Sequence, residues 1–288
     1  MTNQRSILSG DVRIAVREYG DKAAPTLVAV HGYPDNQTMW EPVAERLQTD
    51  FHVVTYDVRG AGDSEVPRGR AAYVSERLVD DLVAVMDAIA PERPVHLLGH
   101  DWGSLQLWDA VTTERDDQRL RGRLSSYTSI SGPCLDHMAH FLRTATNEQR
   151  RQQAKKSWYV NWFYVPVLPE LAWRTLHRPV GAGLARREGL PAGSWGPELG
   201  RDAANGLNLY RANILARMRH PRAGRTEVPV QVVVPLRDPF IGPQTIDALG
   251  LDRFLTTWRR VDVDRSHWLP RSDPAQVARL VTEWSLHR

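Results

Sequence analysis

A carboxylate stands at the centre of a tight turn where an apolar run gives way to a helical pattern. Val95-His96-Leu97-Leu98 leads into Gly99-His100-Asp101-Trp102-Gly103, and Ser104 to Val111 then carries apolar residues at helical spacing. This is the strand-to-helix layout of a nucleophile elbow. Small residues flank the central side chain there because the backbone passes too close for larger ones. A serine at the centre makes an acyl-enzyme from an ester or amide. An aspartate attacks a saturated carbon instead and becomes an alkyl ester of itself. No Gly-x-Ser-x-Gly occurs in the chain, and Ser104 lies outside the turn, so a serine esterase is disfavoured.

An ester on Asp101 has to be hydrolysed, which calls for a base, a group that orients it, and donors for an oxyanion. His267, in Arg265-Ser266-His267-Trp268, directly follows the last strand-like run and precedes the last helical pattern. Asp238, in Pro235-Leu236-Arg237-Asp238, directly follows the run before that one. Their separation fits one helix plus one strand, so both side chains can emerge at the same sheet edge. Asp264 and Asp136 compete with Asp238; Asp264 reads as a loop cap, and Asp136, following Leu124 to Ile130, is the stronger substitute. His31-Gly32-Tyr33-Pro34 follows the run ending at Val30, from which a second oxyanion N–H is supplied beside an elbow. This nominates the backbone amides of Tyr33 and Trp102. Taken alone, the same four residues also read as a proline loop whose histidine merely packs.

These loops need a sheet to hold them. Residues 6–19 alternate across Ser9-Gly10-Asp11 as an opening hairpin. Residues 26–30, 51–56, 95–98 and 124–130 are short apolar or β-branched runs that read as strands buried on both faces. Helical patterns such as residues 76–89 lie between them. The alternation predicts an α/β fold with a mostly parallel sheet covered on both sides. From Cys134 to about Gly224 the rhythm gives way to helix-like patterns rich in Trp, Arg, Tyr and Pro. Strands resume at 228–234 and 256–263, and residues 274–286 close the chain as an amphipathic helix, with Asp273 as N-cap and Pro274 at its first position. The expected organisation is a core domain of residues 1–133 and 225–288, interrupted by a helical cap at 134–224 that is longer than an ordinary connection.

Composition narrows the function. With 288 residues, 42% of them hydrophobic and 25% charged, the chain reads as an ordinary globular protein. No apolar run approaches the roughly 20 residues needed to span a bilayer, and the start at Met1 has no leader pattern. The single Cys134 excludes an internal disulfide, reads as buried filler and fits a reducing, cytoplasmic compartment. The net charge is only +3 and the arginines are scattered, which argues against nucleic acid as a partner. Arg143 to Lys156 is the densest basic stretch and reads as a solvated helix face rather than an anionic-lipid site. Gly181-Ala182-Gly183 lacks the third glycine and the preceding strand of a nucleotide fingerprint. No metal or organic cofactor is expected, nor stable membrane insertion. A homodimer is left open.

Taken together, His31-Gly-Tyr-Pro34, Asp57-Val-Arg-Gly-Ala-Gly-Asp-Ser64, Gly99-His-Asp-Trp-Gly-Ser104, Pro235-Leu-Arg-Asp238 and Ser266-His-Trp268 resemble the α/β-hydrolase superfamily and, within it, the epoxide hydrolases. The chain is most similar to the hydrolase half of bacterial, mycobacterial-type proteins that fuse an epoxide hydrolase to a short-chain dehydrogenase. Whether it stands alone or belongs to a longer fusion is open. The resemblance implies two lid tyrosines that donate to the epoxide oxygen. Tyr159 stands four residues before a Phe-x-x-Pro at 163–166, and Tyr210 sits in Leu207-Asn-Leu-Tyr-Arg, both matching the family's pattern. Tyr164, where relatives often carry Gln, is a rival to Tyr159. His31, Pro34, Trp162, Phe163 and Trp268 are expected to contact a small hydrophobic epoxide, with water as co-substrate. A haloalkane dehalogenase uses the same acid, base and nucleophile and is the nearest alternative, although Tyr33 stands where it often carries Asn. A non-catalytic receptor that kept the pocket is the other.

Overall fold

The runs rich in Val, Ile, Leu and Thr pair into one eight-stranded sheet in the computed structural model of the chain, which describes residues 3–287. The strands are β1 (Asn3–Ser9), β2 (Val12–Tyr19), β3 (Thr26–Val30), β4 (His52–Tyr56), β5 (Val95–His100), β6 (Leu124–Ile130), β7 (Val230–Pro235) and β8 (Trp258–Val263). They lie in the order β1-β2-β4-β3-β5-β6-β7-β8. The β1–β2 and β2–β4 pairs are antiparallel and the remaining pairs parallel. The α/β class expected from the alternation is therefore present. Strand β7 starts later than the apolar run because Pro229 has no N–H for the ladder, although its carbonyl still accepts from Tyr127.

Helices α1 (Glu41–Leu47), α2 (Ser75–Ile89) and α3 (Trp102–Thr113) connect the first parallel strands. Between β6 and β7 come α4 (Leu135–Thr144), α5 (Asn147–Lys156), α6 (Trp158–Phe163), α7 (Leu168–Glu188) and α8 (Leu199–Arg219). Then follow α9 (Pro243–Ala248), α10 (Leu269–Ser272) and α11 (Pro274–Leu286). Alternate residues of β3 serve two cores: Val28 and Val30 pack with α2 and α3, while Leu27 and Ala29 pack with α1 and α11. Burial on both faces explains why this strand is apolar throughout. Helix α11 begins as its residues require, with the Asp273 carboxylate accepting from the Gln276 amide at 3.0 Å and Pro274 in the first turn.

Two features of this framework place the site. Strand β3 pairs with β4 on one side and β5 on the other, and the later strands build outward from β5. The carboxyl ends of β3 and β5 thus flank the point where strand order reverses, the place where open α/β sheets leave a crevice. The second feature is the helical segment. Helix α8 buries Leu199, Ala203, Leu207 and Tyr210 at steps of three and four, and its Arg217 bridges Asp109 of α3 at 2.7 Å and Asp136 of α4 at 2.9 Å. Helix α5 buries only Gln153, which agrees with a solvated basic face. Among the described residues no helix is long and apolar enough to cross a membrane.

Candidate active site

The turn between β5 and α3 holds Asp101 at φ 51°, ψ −122°, a left-handed conformation that a side chain rarely adopts. Close packing enforces it. A Cβ on Gly103 would collide with the carbonyl oxygen of Val30, and one on Gly32 would sit 2.5 Å from the Asp101 side chain. The small residues of the motif are therefore required by contact with the β3 loop. That contact delivers the Tyr33 amide, which donates to Asp101 Oδ1 at 2.7 Å, and the Trp102 amide also hydrogen-bonds the carboxylate. Two backbone amides thus favour the ionised carboxylate.

The other oxygen faces the base. His267 Nε2 lies 3.6 Å from Asp101 Oδ2, and His267 Nδ1 donates to Asp238 Oδ2 at 2.9 Å. Asp238 is fixed in turn by the amides of Phe240 and Ile241, which donate to its Oδ1 at 2.7 and 3.1 Å. Burial pushes the Asp101 carboxyl up to about 6, against the lowering effects of His267 and the two amides. For His267, burial acts downward, but the charge and hydrogen bond of Asp238, followed by the charge of Asp101, outweigh it and lift the imidazole to about 9. Asp238 stays below its usual range, because His267 and the two amides overcome its burial. Asp101 and His267 therefore form an ion pair near neutral pH.

Above the pair is a cavity of about 360 Å³, lined by Tyr33, Pro34, Trp162, Phe163, Trp268, Tyr159 and Tyr210 together with Asp101 and His267. A second cavity of about 300 Å³ meets it at Asp101, Tyr159, Tyr210 and Phe240 and extends between α4, α5 and α8 past Leu135, Met138 and Ile214. Tyr210 packs edge-on against Trp102 at 4.9 Å and Tyr33 at 5.2 Å. Burial, with the charge of Asp101 adding to it, raises both Tyr159 and Tyr210, so both remain neutral O–H donors.

A family model described as the alpha/beta hydrolase fold matches residues 25–250. The chain belongs to the alpha/beta hydrolase family. This hydrolase is 33% identical over a 293-residue alignment to the probable oxidoreductase EphD of Mycobacterium tuberculosis, covering 95% of the chain and 48% of the relative. It is 29% identical over 184 residues to epoxide hydrolase A of the same organism, covering 62% of the chain and 54% of the relative. The chain spans about half the length of these curated relatives. Among solved structures, an epoxide hydrolase of Bacillus megaterium in complex with an inhibitor superposes with a TM-score of 0.82 at 21% identity, covering 98% and 99% of the two chains.

Two sequence expectations, for His31 and Asp264, change once the hydrolase is folded, and two rivals, Tyr164 and Asp136, drop out. His31 does not line either cavity: it is buried, accepts from the Val58 amide at 2.9 Å and donates to the Gly32 carbonyl, so it braces the loop that aims Tyr33. Tyr164 lines neither cavity, since its hydroxyl donates to the Tyr210 carbonyl at 2.8 Å. Asp136 is committed to Arg217 and to the Arg222 amide, so it does not replace Asp238. Asp264 is exposed and pairs with Arg237 instead of capping its loop. Sequence reasoning also passed over three groups. Asp35, next to Pro34, is buried and gathers the Trp268 and Trp195 indoles and Arg271, tying the β3 loop to the α7–α8 connection and the His267 loop. His100 Nε2 donates to the His267 carbonyl at 3.0 Å, and burial pushes its ring down to about 3, so it is neutral. Phe240 stands 4.7 Å from the His267 ring and separates the two cavities. An acid directly after the oxyanion loop was the available signal for Asp35; nothing local marks Phe240.

Proposed function

We propose that this hydrolase opens apolar epoxides to vicinal diols through an alkyl ester on Asp101, with the helical segment 134–224 acting as a cap. The observation that carries the reading is the pair Tyr159 and Tyr210, two neutral hydroxyls on α6 and α8 that line both cavities where these meet Asp101. Asp101 Oδ2 attacks one ring carbon and the C–O bond breaks. The two tyrosines donate to the departing oxygen, which becomes a hydroxyl on the adjacent carbon by taking, through water, the proton that His267 gives up as the charge of Asp101 disappears. Esterification removes the charge of Asp101, and with it part of the field that keeps His267 protonated. The imidazole then takes a proton from water, which attacks Cγ of Asp101. The negative charge develops on Oδ1, which accepts from the Tyr33 amide with the Trp102 amide also acting on the group, each donor worth about 3 kcal/mol in comparable sites. Collapse breaks the bond between Cγ and the diol oxygen, which takes the proton from His267; the proton left on Asp101 then passes to His267, so the diol is released and the ion pair restored. Two apolar cavities meeting at the nucleophile suit an epoxide with an apolar group on each carbon. The mycobacterial relative named epoxide hydrolase A supports the same chemistry.

The test is turnover of a panel of aryl, terminal and internal alkyl epoxides by the purified chain, followed by mass measurement of its peptides. Diol should form, and His267→Gln should accumulate a mass increase on the peptide containing Asp101. In the unmodified protein, ¹⁸O from labelled water should enter Asp101. Halide release from haloalkanes without diol would replace this reading with a dehalogenase, and epoxide binding without turnover would replace it with a receptor.

A further inference from the structure

We propose that the face formed by α6 and the first half of α7 docks on an anionic lipid surface and presents the cavity mouth to it. Large apolar side chains are concentrated there. Among the described residues, seven of the thirteen with high exposure are Trp158, Trp162, Val167, Leu168, Leu171, Leu176 and Val180. Exposed apolar residues scattered singly need no explanation, whereas a run of this kind marks an interaction surface. Three of them, Trp158, Trp162 and Val180, also line the cavity that leads to Asp101, so one edge of the patch reaches its opening. Apolar molecules partitioned in a bilayer would enter the cavity from there without crossing water.

Charge selects the partner. Segment 134–224 carries fourteen Arg or Lys against six Asp or Glu, whereas the rest of the chain has more acids than bases. Four of those six acids are spent internally: Asp136, Glu188 and Asp202 are buried and Glu170 pairs with Arg211. On α7, Arg174 and Arg178 follow Leu171 at steps of three and four and share its face. Neither has a carboxylate within ion-pair distance among the described residues. An apolar patch with tryptophans, edged by unpaired cations, is the composition of a surface that lies in the headgroup layer of an anionic membrane. The docking does not depend on the epoxide reading, because it is measured without turnover.

Co-sedimentation with vesicles tests it. The protein should bind vesicles of phosphatidylcholine mixed with phosphatidylglycerol, bind phosphatidylcholine alone far more weakly, and lose affinity as salt rises. Arg174→Gln with Arg178→Gln should weaken binding by about twentyfold. Leu168→Ser with Leu171→Ser and Leu176→Ser should weaken it by about tenfold or more. All five positions are exposed, so circular dichroism and thermal melting should be unchanged. Equal binding to both vesicle types, no binding to either, or indifference to both sets of substitutions overturns the proposal. So does a dimer in sedimentation equilibrium that the leucine substitutions dissolve, since the patch then serves a second copy of the chain.

Discussion

Asp101 and His267 share a buried ion pair, and the order in which their charges are neutralised sets the expected pH dependence. In the proposed reaction, attack requires ionised Asp101, whose carboxyl is raised to about 6. The rate of ester formation, followed by rapid-quench mass measurement, should hold above that pH and fall tenfold per unit below it. In His267→Gln the neighbouring cation that favours the carboxylate is gone, so this acid limb should move to higher pH. Ester breakdown requires neutral His267. In the free protein the imidazole sits at about 9, held up in part by the charge of Asp101. Once that charge is esterified, the rate of breakdown should rise with pH through a value below 9. Asp238→Asn removes both the charge and the acceptor for Nδ1 and should slow breakdown by about 10³–10⁴-fold while leaving ester formation measurable.

At the scale of elements, the helices of segment 134–224 have separable duties in the proposed reaction. Helices α6 and α8 each contribute one hydroxyl, so Tyr159→Phe and Tyr210→Phe should each lower the rate of ester formation by about 10²-fold. Substitution of Tyr164, which ties α6 to the α8 backbone, should change stability instead of this step. Arg217 is the buried cation between Asp109 and Asp136, joining α8 to α3 and α4. Its replacement by Ala leaves the two carboxylates only the partly exposed Arg222 as cation and should lower stability by about 3 kcal/mol in urea denaturation. Asp136→Asn should share part of that loss and leave the pH profile of ester breakdown in place, which separates its role from that of Asp238. The inner strands β3 to β7 were legible because burial on both faces writes an apolar or β-branched run into each of them. The roles of Asp136 and Tyr164 were not, because each follows a strand or sits in an aromatic stretch in a way that fits two destinations.

Across the whole molecule, two cavities from different parts of the cap converge on one carboxylate. Met138 lines only the second of them. Met138→Trp should therefore lower kcat/KM for epoxides substituted on both carbons by about tenfold relative to terminal epoxides, measured as a ratio on the same preparation. A uniform loss for both substrates would indicate damage to the shared centre. The asymmetry of charge between the cap segment and the sheet layer belongs to this scale too, since it is invisible in a net value of +3.

The sequence alone determined that Asp101, Asp238 and His267 stand at strand ends in the order of an elbow, an acid and a base, because these are local patterns imposed by backbone sterics and strand burial. Asp101, Asp238 and His267 do meet at one sheet edge, with the Tyr33 amide on Asp101 Oδ1. Only tertiary structure decided where side chains point. His31 turned inward to the Val58 amide, Asp136 was claimed by Arg217, and Asp35 gathered partners from two distant loops. Those outcomes depend on which polar groups become neighbours once water is excluded, and a buried polar atom takes the partner that geometry offers.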